Sequence, residues 1–403
     1  MKIGILTLRS SSLGNFLQMY ALYNAILALG YRPIIINYIP RPWSEPYPCI
    51  IRFHGFKKGI KSIITGIFNE YLYLGYMKRA RKRLMYHYKQ LEISKPIKGL
   101  EELRRIVEEL DKVIVGSDWV WSPEYLLYYH EYGYLLPFKL NKVLKIAYSA
   151  SFGWDNISKL PPRILYLYKK YISDFDFISL REKSHIPFLS NLIGNKKPIH
   201  HTVDPTLLMD KEWWSTKILQ NVDSYLENLL GEKFVFIYNV EANLLSWFKP
   251  ILRELWSKDY YLVIYKPPRP IPVRNTIESI SFIVQNLRNY IKKLLFVEYI
   301  DPFELLWIIK NAEYIITDSL HGTIFSIIFE KPFVAVKRPG LSIRILDLLD
   351  ILNLRDRFAK TIDEIPKKLG KEPDYKSVRP LLNYYRQRSW ELLKVATSLS
   401  LSK

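Results

Sequence analysis

Short β-branched apolar runs recur along the chain, and between them the apolar positions return every three or four residues. That alternation predicts strands interleaved with helices. Ile3 to Leu8 opens the series, and a helix from about Gly14 to Leu29 follows until Gly30 stops it. Further strands are expected at Ile34 to Asn37, Lys112 to Val115, Lys145 to Tyr148, Phe177 to Leu180 and Ile199 to Val203, with an amphipathic helix over Leu100 to Leu110. After Pro205 a second series begins, at Phe234 to Tyr238, Tyr261 to Tyr265, Leu295 to Glu298, Tyr314 to Thr317 and Phe333 to Val336. The helix from Pro302 to Ile309 has Asp301 as N-cap and proline at its first position. Runs apolar on both faces belong to parallel sheets covered by helices.

The expected fold class is therefore α/β, with two doubly wound, Rossmann-like domains facing a cleft. A chain of 403 residues exceeds what one core usually supports. Residues 1–205 form the expected first domain, with a basic helical insertion at about 50–95. Residues 206–372 form the second, and 373–403 a helical tail. The proline-rich stretch from Lys266 to Pro272 reads as an ordered cleft loop or a lid.

Composition narrows the classes. About half of the residues, 49%, are apolar, as in a folded protein. With Cys49 alone, no intrachain disulfide and no cysteine-held zinc is available. Met1 and Lys2 lead straight into the first apolar run, too short for a signal-peptide core, and no apolar segment reaches the ~18 residues of a spanning helix. A cytoplasmic protein is expected, with peripheral membrane contact left open. The net charge of +20 attracts anionic substrates, anionic lipid or nucleic acid. Much of the excess lies between Arg52 and Lys89, where Glu70 is the one acid and Ile60, Ile63, Ile64, Ile67, Tyr71 and Leu74 form a packing stripe. Two readings stand for this stretch: a helix on an anionic membrane surface, or a solvated helix covering the first domain. Nucleic acid ranks last, since no binding motif accompanies the charge.

The strand Tyr314 to Thr317 ends in polar residues, Asp318-Ser319-Leu320-His321-Gly322-Thr323, and restarts as a helix. Strand ends of this kind are where α/β proteins hold ligands, and the amides of the following helix face anions. The plainer reading makes His321 a satisfied histidine near a helix cap.

Other segments add to this one. They are Gly14-Asn15-Phe16-Leu17-Gln18-Met19-Tyr20-Ala21-Leu22, Val115-Gly116-Ser117-Asp118-Trp119-Val120-Trp121-Ser122-Pro123, Ala147-Tyr148-Ser149-Ala150-Ser151-Phe152-Gly153, Ser179-Leu180-Arg181-Glu182-Lys183-Ser184 and Val203-Asp204-Pro205-Thr206-Leu207-Leu208. In this order, from Met1 to about Arg357, they resemble the polysaccharide pyruvyl transferase family. The resemblance implies a two-domain architecture similar to the GT-B glycosyltransferases, phosphoenolpyruvate as donor substrate, a saccharide or lipid-linked glycan as acceptor, and no cofactor or metal. It departs from the family in places. Several branches carry arginine where Ser319 stands, glutamine is common at Trp119, asparagine at Ser122, and asparagine near Ser12.

Building a cyclic ketal from phosphoenolpyruvate needs an acid for the methylene carbon, a base for a sugar hydroxyl, and donors for carboxylate and phosphate. His321, with an ordinary pKa of about 6.5, is the expected acid, protonated near neutrality. Arg181, at a strand end, is the expected donor anchor through paired guanidinium hydrogen bonds, against an ordinary ion pair with Glu182. Ser319, Gly322 and Thr323 are expected to offer hydroxyl and amide groups to the phosphate. Lys337, Arg338 and Arg344 would compensate for the arginine missing at Ser319. Asp118 is the expected base or sugar-hydroxyl partner, with Trp119 and Trp121 as stacking faces. Against that, Ser117 and Asp118 form a turn and the tryptophans are core. Arg9 is a candidate substrate contact. Asp318 either orients His321 or, as the stronger reading, caps the helix; Asp204-Pro205 reads as a domain-boundary turn. His200 and His201 have no neighbouring acid or thiol that would suggest a metal.

Two other functions share these features. One is a nucleotide-sugar glycosyltransferase, since the same cleft serves that chemistry. The other is a non-catalytic glycan-binding or membrane-associated relative, suggested by Ser319 and the basic stretch.

Overall fold

The computed structural model describes residues 1–9, 12–40, 82–222, 233–239, 260–265, 294–297 and 300–400. The basic stretch up to residue 81 and the Lys266 to Pro272 loop lie outside the described residues, as does Glu298 at the end of its expected strand.

The first lobe is built from strands β1 (Lys2–Leu6), β2 (Arg32–Ile35), β3 (Lys112–Val115), β4 (Leu144–Ala150), β5 (Phe177–Leu180) and β6 (Ile199–His201). Its principal helices are α1 (Leu13–Ala28), α2 (Gly99–Glu108), α3 (Pro123–Tyr128), α4 (Pro162–Ile172) and α5 (Ile186–Leu192). After α6 (Lys211–Asn221) comes a second set of strands, β7 (Phe234–Tyr238), β8 (Tyr261–Tyr265), β9 (Leu294–Val297), β10 (Tyr314–Thr317), β11 (Phe333–Val336) and β12 (Phe358–Ala359). Among them run α7 (Pro302–Asn311), α8 (Leu320–Ile328) and α9 (Ile343–Ile351), and α10 (Tyr375–Ser398) closes the chain.

Each set forms a six-stranded sheet, in the orders β2-β1-β3-β4-β5-β6 and β9-β8-β7-β10-β11-β12. Every neighbouring pair in both sheets is parallel. The chain is α/β with two parallel sheets, as the apolar runs imply. In each sheet the chain leaves a central strand first to one side and then to the other. The reversal falls between β1 and β3 in the first sheet and between β7 and β10 in the second. Crevices at the carboxyl ends of such reversals are where doubly wound sheets bind ligands. Asp118 follows β3 and His321 follows β10, so each crevice carries one of the strand-end candidates.

Local rules explain several elements. Asp301 accepts from the amides of Phe303 and Glu304, both at 2.9 Å, and Glu304 returns a bond from the Asp301 amide at 2.9 Å. This capping box, with Pro302 at the first helical position, starts α7 where the sequence predicts. At α8 the cap is Ser319, whose hydroxyl oxygen accepts from Gly322 N at 3.3 Å, and not Asp318. Ser319 has the extended backbone and the three-residue reach that an N-cap requires.

The lobes share a core. Phe16 and Tyr20 of α1 meet Phe303 of α7 edge to face, and Trp214 of α6 meets Phe325 of α8 in the same way. Helix α10 lies across both lobes. The Ser389 hydroxyl accepts from Val203 N at 3.0 Å, and its carbonyl accepts from the Tyr148 hydroxyl at 2.8 Å. At its other end, Arg379 pairs with Glu330 of the second lobe. These contacts hold the two crevices face to face.

Candidate functional site

The loop after β3 is shaped by backbone as much as by side chains. Gly116 has φ 125°, and a Cβ there would stand 2.2 Å from the Tyr148 carbonyl oxygen, so only glycine fits. The loop is fastened by Thr7, whose hydroxyl donates to the Ser117 carbonyl at 3.0 Å, and Thr7 in turn accepts from Gln18 at 3.0 Å. Asp118 then adopts φ 69°, a left-handed conformation uncommon for a residue with a side chain, while 4% exposed.

Opposite this loop, Arg181 follows β5. Its Nη1 donates to Asp204 Oδ2 at 2.8 Å and its Nε to Glu182 Oε1 at 3.2 Å. Glu182 Oε1 also accepts from Ser151 at 2.8 Å. Asp204 accepts through Oδ1 from the Thr206 amide at 3.0 Å and its hydroxyl at 2.7 Å, so both carboxylate oxygens are engaged. His321 reaches across from the second lobe and places Nε2 3.8 Å from the same Asp204 Oδ2. On its other side the ring rests on α1, where a Cβ on Gly14 would meet His321 Nδ1 at 2.2 Å. Gly14, read from sequence only as part of a motif, is thus the surface on which the imidazole lies.

Arg344 of α9 completes the group. Its guanidinium lies over the Trp119 ring at 4.4 Å, close enough for cation–π attraction between the lobes. Arg181 acts on Arg344 as a like charge, and Asp118 and Glu182 as opposite ones. Arg181, Asp204 and Arg344, together with His201, line a cavity whose remaining wall is aliphatic, including Leu320 and Leu348.

Burial and charge set the protonation states. Burial alone would raise Asp204, but His321, Arg181 and the Thr206 bonds outweigh it and hold the carboxyl below its usual range. Burial works against the Arg181 charge, yet Glu182, Asp204 and Asp118 hold its proton more firmly than usual. Burial, followed by the nearby Arg181, pushes Arg344 down to about 9. His321 is lowered, first by burial and further by Arg181 and Arg344, although Asp204 and Asp118 pull it upward. Its proton is therefore held less firmly than in a free imidazole, whereas the sequence alone suggests an ordinary one. Two guanidiniums and the loss of water outweigh the two carboxylates. His201 is held at about 4, chiefly by burial and by Lys183.

Several atoms here are buried with no hydrogen-bond partner among the described residues: Arg181 Nη2, Arg344 Nε, Trp119 Nε1, His321 Nε2 and Glu182 Oε2. Buried polar atoms are rarely left so. Three of the five are N–H groups that can only donate, which suits an anion.

Other candidates take different places. Trp121 is 1% exposed, donates to the Tyr134 carbonyl at 3.2 Å and packs on Phe152 and Phe175; it is core and offers no stacking face. Gly322 and Thr323 do not present groups to a ligand. The Gly322 amide is engaged by Ser319, and the Thr323 amide and hydroxyl both donate to the Ser319 carbonyl at 3.0 Å. Gly322 is required by packing instead, because a Cβ would stand 2.4 Å from Thr317 Oγ1. Ser319 spends its acceptor on the helix cap. Arg9 is bonded to Asn37 and lies over the Tyr88 ring at 4.7 Å, within its own lobe. Lys337 is exposed at the end of β11, whereas Arg338 acts on both Glu124 of the first lobe and Arg344. Asp204 is the residue that sequence reading undervalued, since Asp-Pro after a strand signals a turn and gives no hint of two cationic partners.

Among the described residues no group of three His, Cys, Asp or Glu side chains could hold a metal ion, and no helix is long and apolar enough to cross a membrane.

Comparison with known proteins agrees with the topology. The family model described as polysaccharide pyruvyl transferase matches residues 13–338. No curated protein matches the chain by sequence. Among solved structures, UDP-GlcNAc 2-epimerase from Methanocaldococcus jannaschii is similar with a TM-score of 0.55 at 13% identity, covering 98% of this chain and 99% of that one. The enzyme of that name from Neisseria meningitidis, bound to UDP-GlcNAc, gives 0.53 at 10% identity over 98% and 99%. A glycosyltransferase from Rickettsia africae gives 0.51 at 13% identity over 99% of both chains. At such identities the likeness is one of fold, with two Rossmann-like domains arranged as in GT-B proteins.

Proposed function

Because the chain belongs to the polysaccharide pyruvyl transferase family, we propose that it transfers pyruvyl from phosphoenolpyruvate to two hydroxyls of a saccharide, forming a ketal and releasing phosphate. One observation carries the donor assignment. Arg181 Nη2 and Arg344 Nε are buried donors with no partner among the described residues, near His321 and on facing lobes. A small molecule with a carboxylate and a phosphate would give both guanidiniums their missing acceptor, and charge-assisted bonds of this kind are the strong ones.

The chemistry follows from the charges. Arrival of the donor adds negative charge next to an imidazole whose charged form burial and two guanidiniums disfavour, and so favours its protonation. The charged imidazole then gives a proton to the methylene carbon. Asp118 takes a proton from the first sugar hydroxyl as its oxygen bonds to the adjacent carbon. Asp204 acts through Arg181 and His321, fixing both without touching the donor. When the phosphate leaves, the second hydroxyl closes the ring on the same carbon and gives its proton to the imidazole left neutral by the first step, while the guanidiniums hold the departing charge. Arg344 takes the part of the arginine that Ser319 replaces.

The acceptor is a saccharide or a lipid-linked glycan, and the chain's net charge of +20 would favour an anionic membrane surface for the latter. Nucleotide-sugar transfer is the competing reading, and it rests on fold alone. Incubation with phosphoenolpyruvate and a panel of glycans tests the proposal. Phosphate release with a ketal on the glycan is expected, and excess UDP-sugar should not compete. Absence of release from native protein across the panel, or strong competition by UDP-sugar, would overturn it.

A further inference from the structure

The helix that delivers Arg344 is not capped by its own residues. Ser342, the N-cap of α9, makes no side-chain bond to that helix; its hydroxyl is spent on the backbone of Arg338, accepting from N at 3.0 Å and donating to O at 2.6 Å. The first amide of α9, Ile343 N, donates instead to Asp155 Oδ1 of the first lobe at 2.8 Å. Asp155 N donates in return to the Gly340 carbonyl at 3.1 Å. One turn further on, Asp347 accepts from Ser184 N at 2.9 Å and Ser184 Oγ at 2.8 Å, again across the lobes. Arg344 lies between these two attachments.

The opening amides of a helix need acceptors, and a carboxylate near them is favoured further by the helix dipole. We propose that Asp155 is a positioning residue for donor binding: by capping α9 from the opposite lobe it docks that helix and sets Arg344 beside Arg181. The inference rests on the donor-binding reading of Arg344 given above. Arg344 joins the site only while α9 is docked, so docking and donor binding reinforce each other, each by the same factor.

The test uses the full chain, with hydrogen exchange at the Ile343 amide and calorimetric titration of phosphoenolpyruvate. Asp155→Ala should speed exchange at Ile343 and weaken the donor about fivefold, the size expected for loss of a cap. Asp155→Asn should retain both, because the amide oxygen also accepts. In an Arg344→Gln background, Asp155→Ala should weaken the donor no further, since the group it positions is gone. Unchanged exchange in Asp155→Ala overturns the proposal, and so do losses that add fully in the double variant. If the native protein binds no phosphoenolpyruvate, the donor reading fails by itself, and exchange at Ile343 still decides whether Asp155 holds the helix.

Discussion

Replacing Arg344 by glutamine separates an anion-binding arginine from a structural one. In this structure the guanidinium has Trp119 beneath it at 4.4 Å, a like charge in Arg181, and a buried Nε with no partner among the described residues. Removing the charge loses a cation–π contact of about 0.5–2 kcal/mol. It also relieves repulsion from Arg181 and the burial that pushes Arg344 down to about 9. These effects oppose each other, so unfolding free energy should change by no more than about 1 kcal/mol, roughly 1 °C in a chain of this size. Donor binding has no such compensation. A hydrogen bond to a charged group contributes about 1.5–3 kcal/mol, so the dissociation constant for phosphoenolpyruvate should rise roughly 10- to 150-fold. Calorimetric titration measures the second quantity and thermal unfolding without ligand the first. A variant that binds the donor as well as the native protein, or that loses many degrees in its absence, would refute the reasoning.

Arg181→Ala should behave in the opposite way. It strands Asp204 and Glu182 in the interior, where loss of one member of a buried pair costs about 3–5 kcal/mol, so denaturant unfolding should show a large drop even without donor. Gly14→Ala places a methyl where the His321 ring stands, and phosphate release should fall far more than stability; unchanged turnover would show that the ring position is not critical. The pH dependence has a definite sign. The His321 pKa is lowered in the fold, so below about 6.5 the unfolded chain binds more protons and stability declines as pH falls. His321→Gln should flatten that decline between pH 7.5 and 5.5 in denaturant titrations, and an unaltered slope would contradict the assignment. Asp204 adds a second loss at lower pH, because its folded pKa is depressed: its contribution is present above about 3.8 and disappears as pH falls through the folded value.

Much of this architecture was legible as pattern. β5, β7, β8, β10 and β11 coincide with apolar, β-branched or aromatic runs because strands buried on both faces must be written that way. His321 and Arg181 were legible because each follows such a strand. The rest depends on contacts that no local pattern records. Trp119 and Trp121 stand two residues apart in one motif, yet one bears a guanidinium and the other fills the core. Asp318 and Ser319 are both good caps by type, and backbone conformation chose between them. Gly322 looks like an opening for a ligand, whereas Thr317 and Tyr238 already occupy the space a side chain would take. The lowered pKa of His321 follows from burial and from two arginines, one 140 residues earlier in the chain and one brought in on another helix, which spacing along the chain does not convey. Asp155, exposed and far in sequence from α9, gives no sign of capping it.

The most direct measurement is a crystal structure of the protein soaked with phosphoenolpyruvate. The account predicts the donor between the lobes, its anionic groups on Arg181 Nη2 and Arg344 Nε and its methylene carbon facing His321. Density for the donor elsewhere, or a crevice that stays closed to phosphoenolpyruvate while accepting a nucleotide sugar, would contradict it.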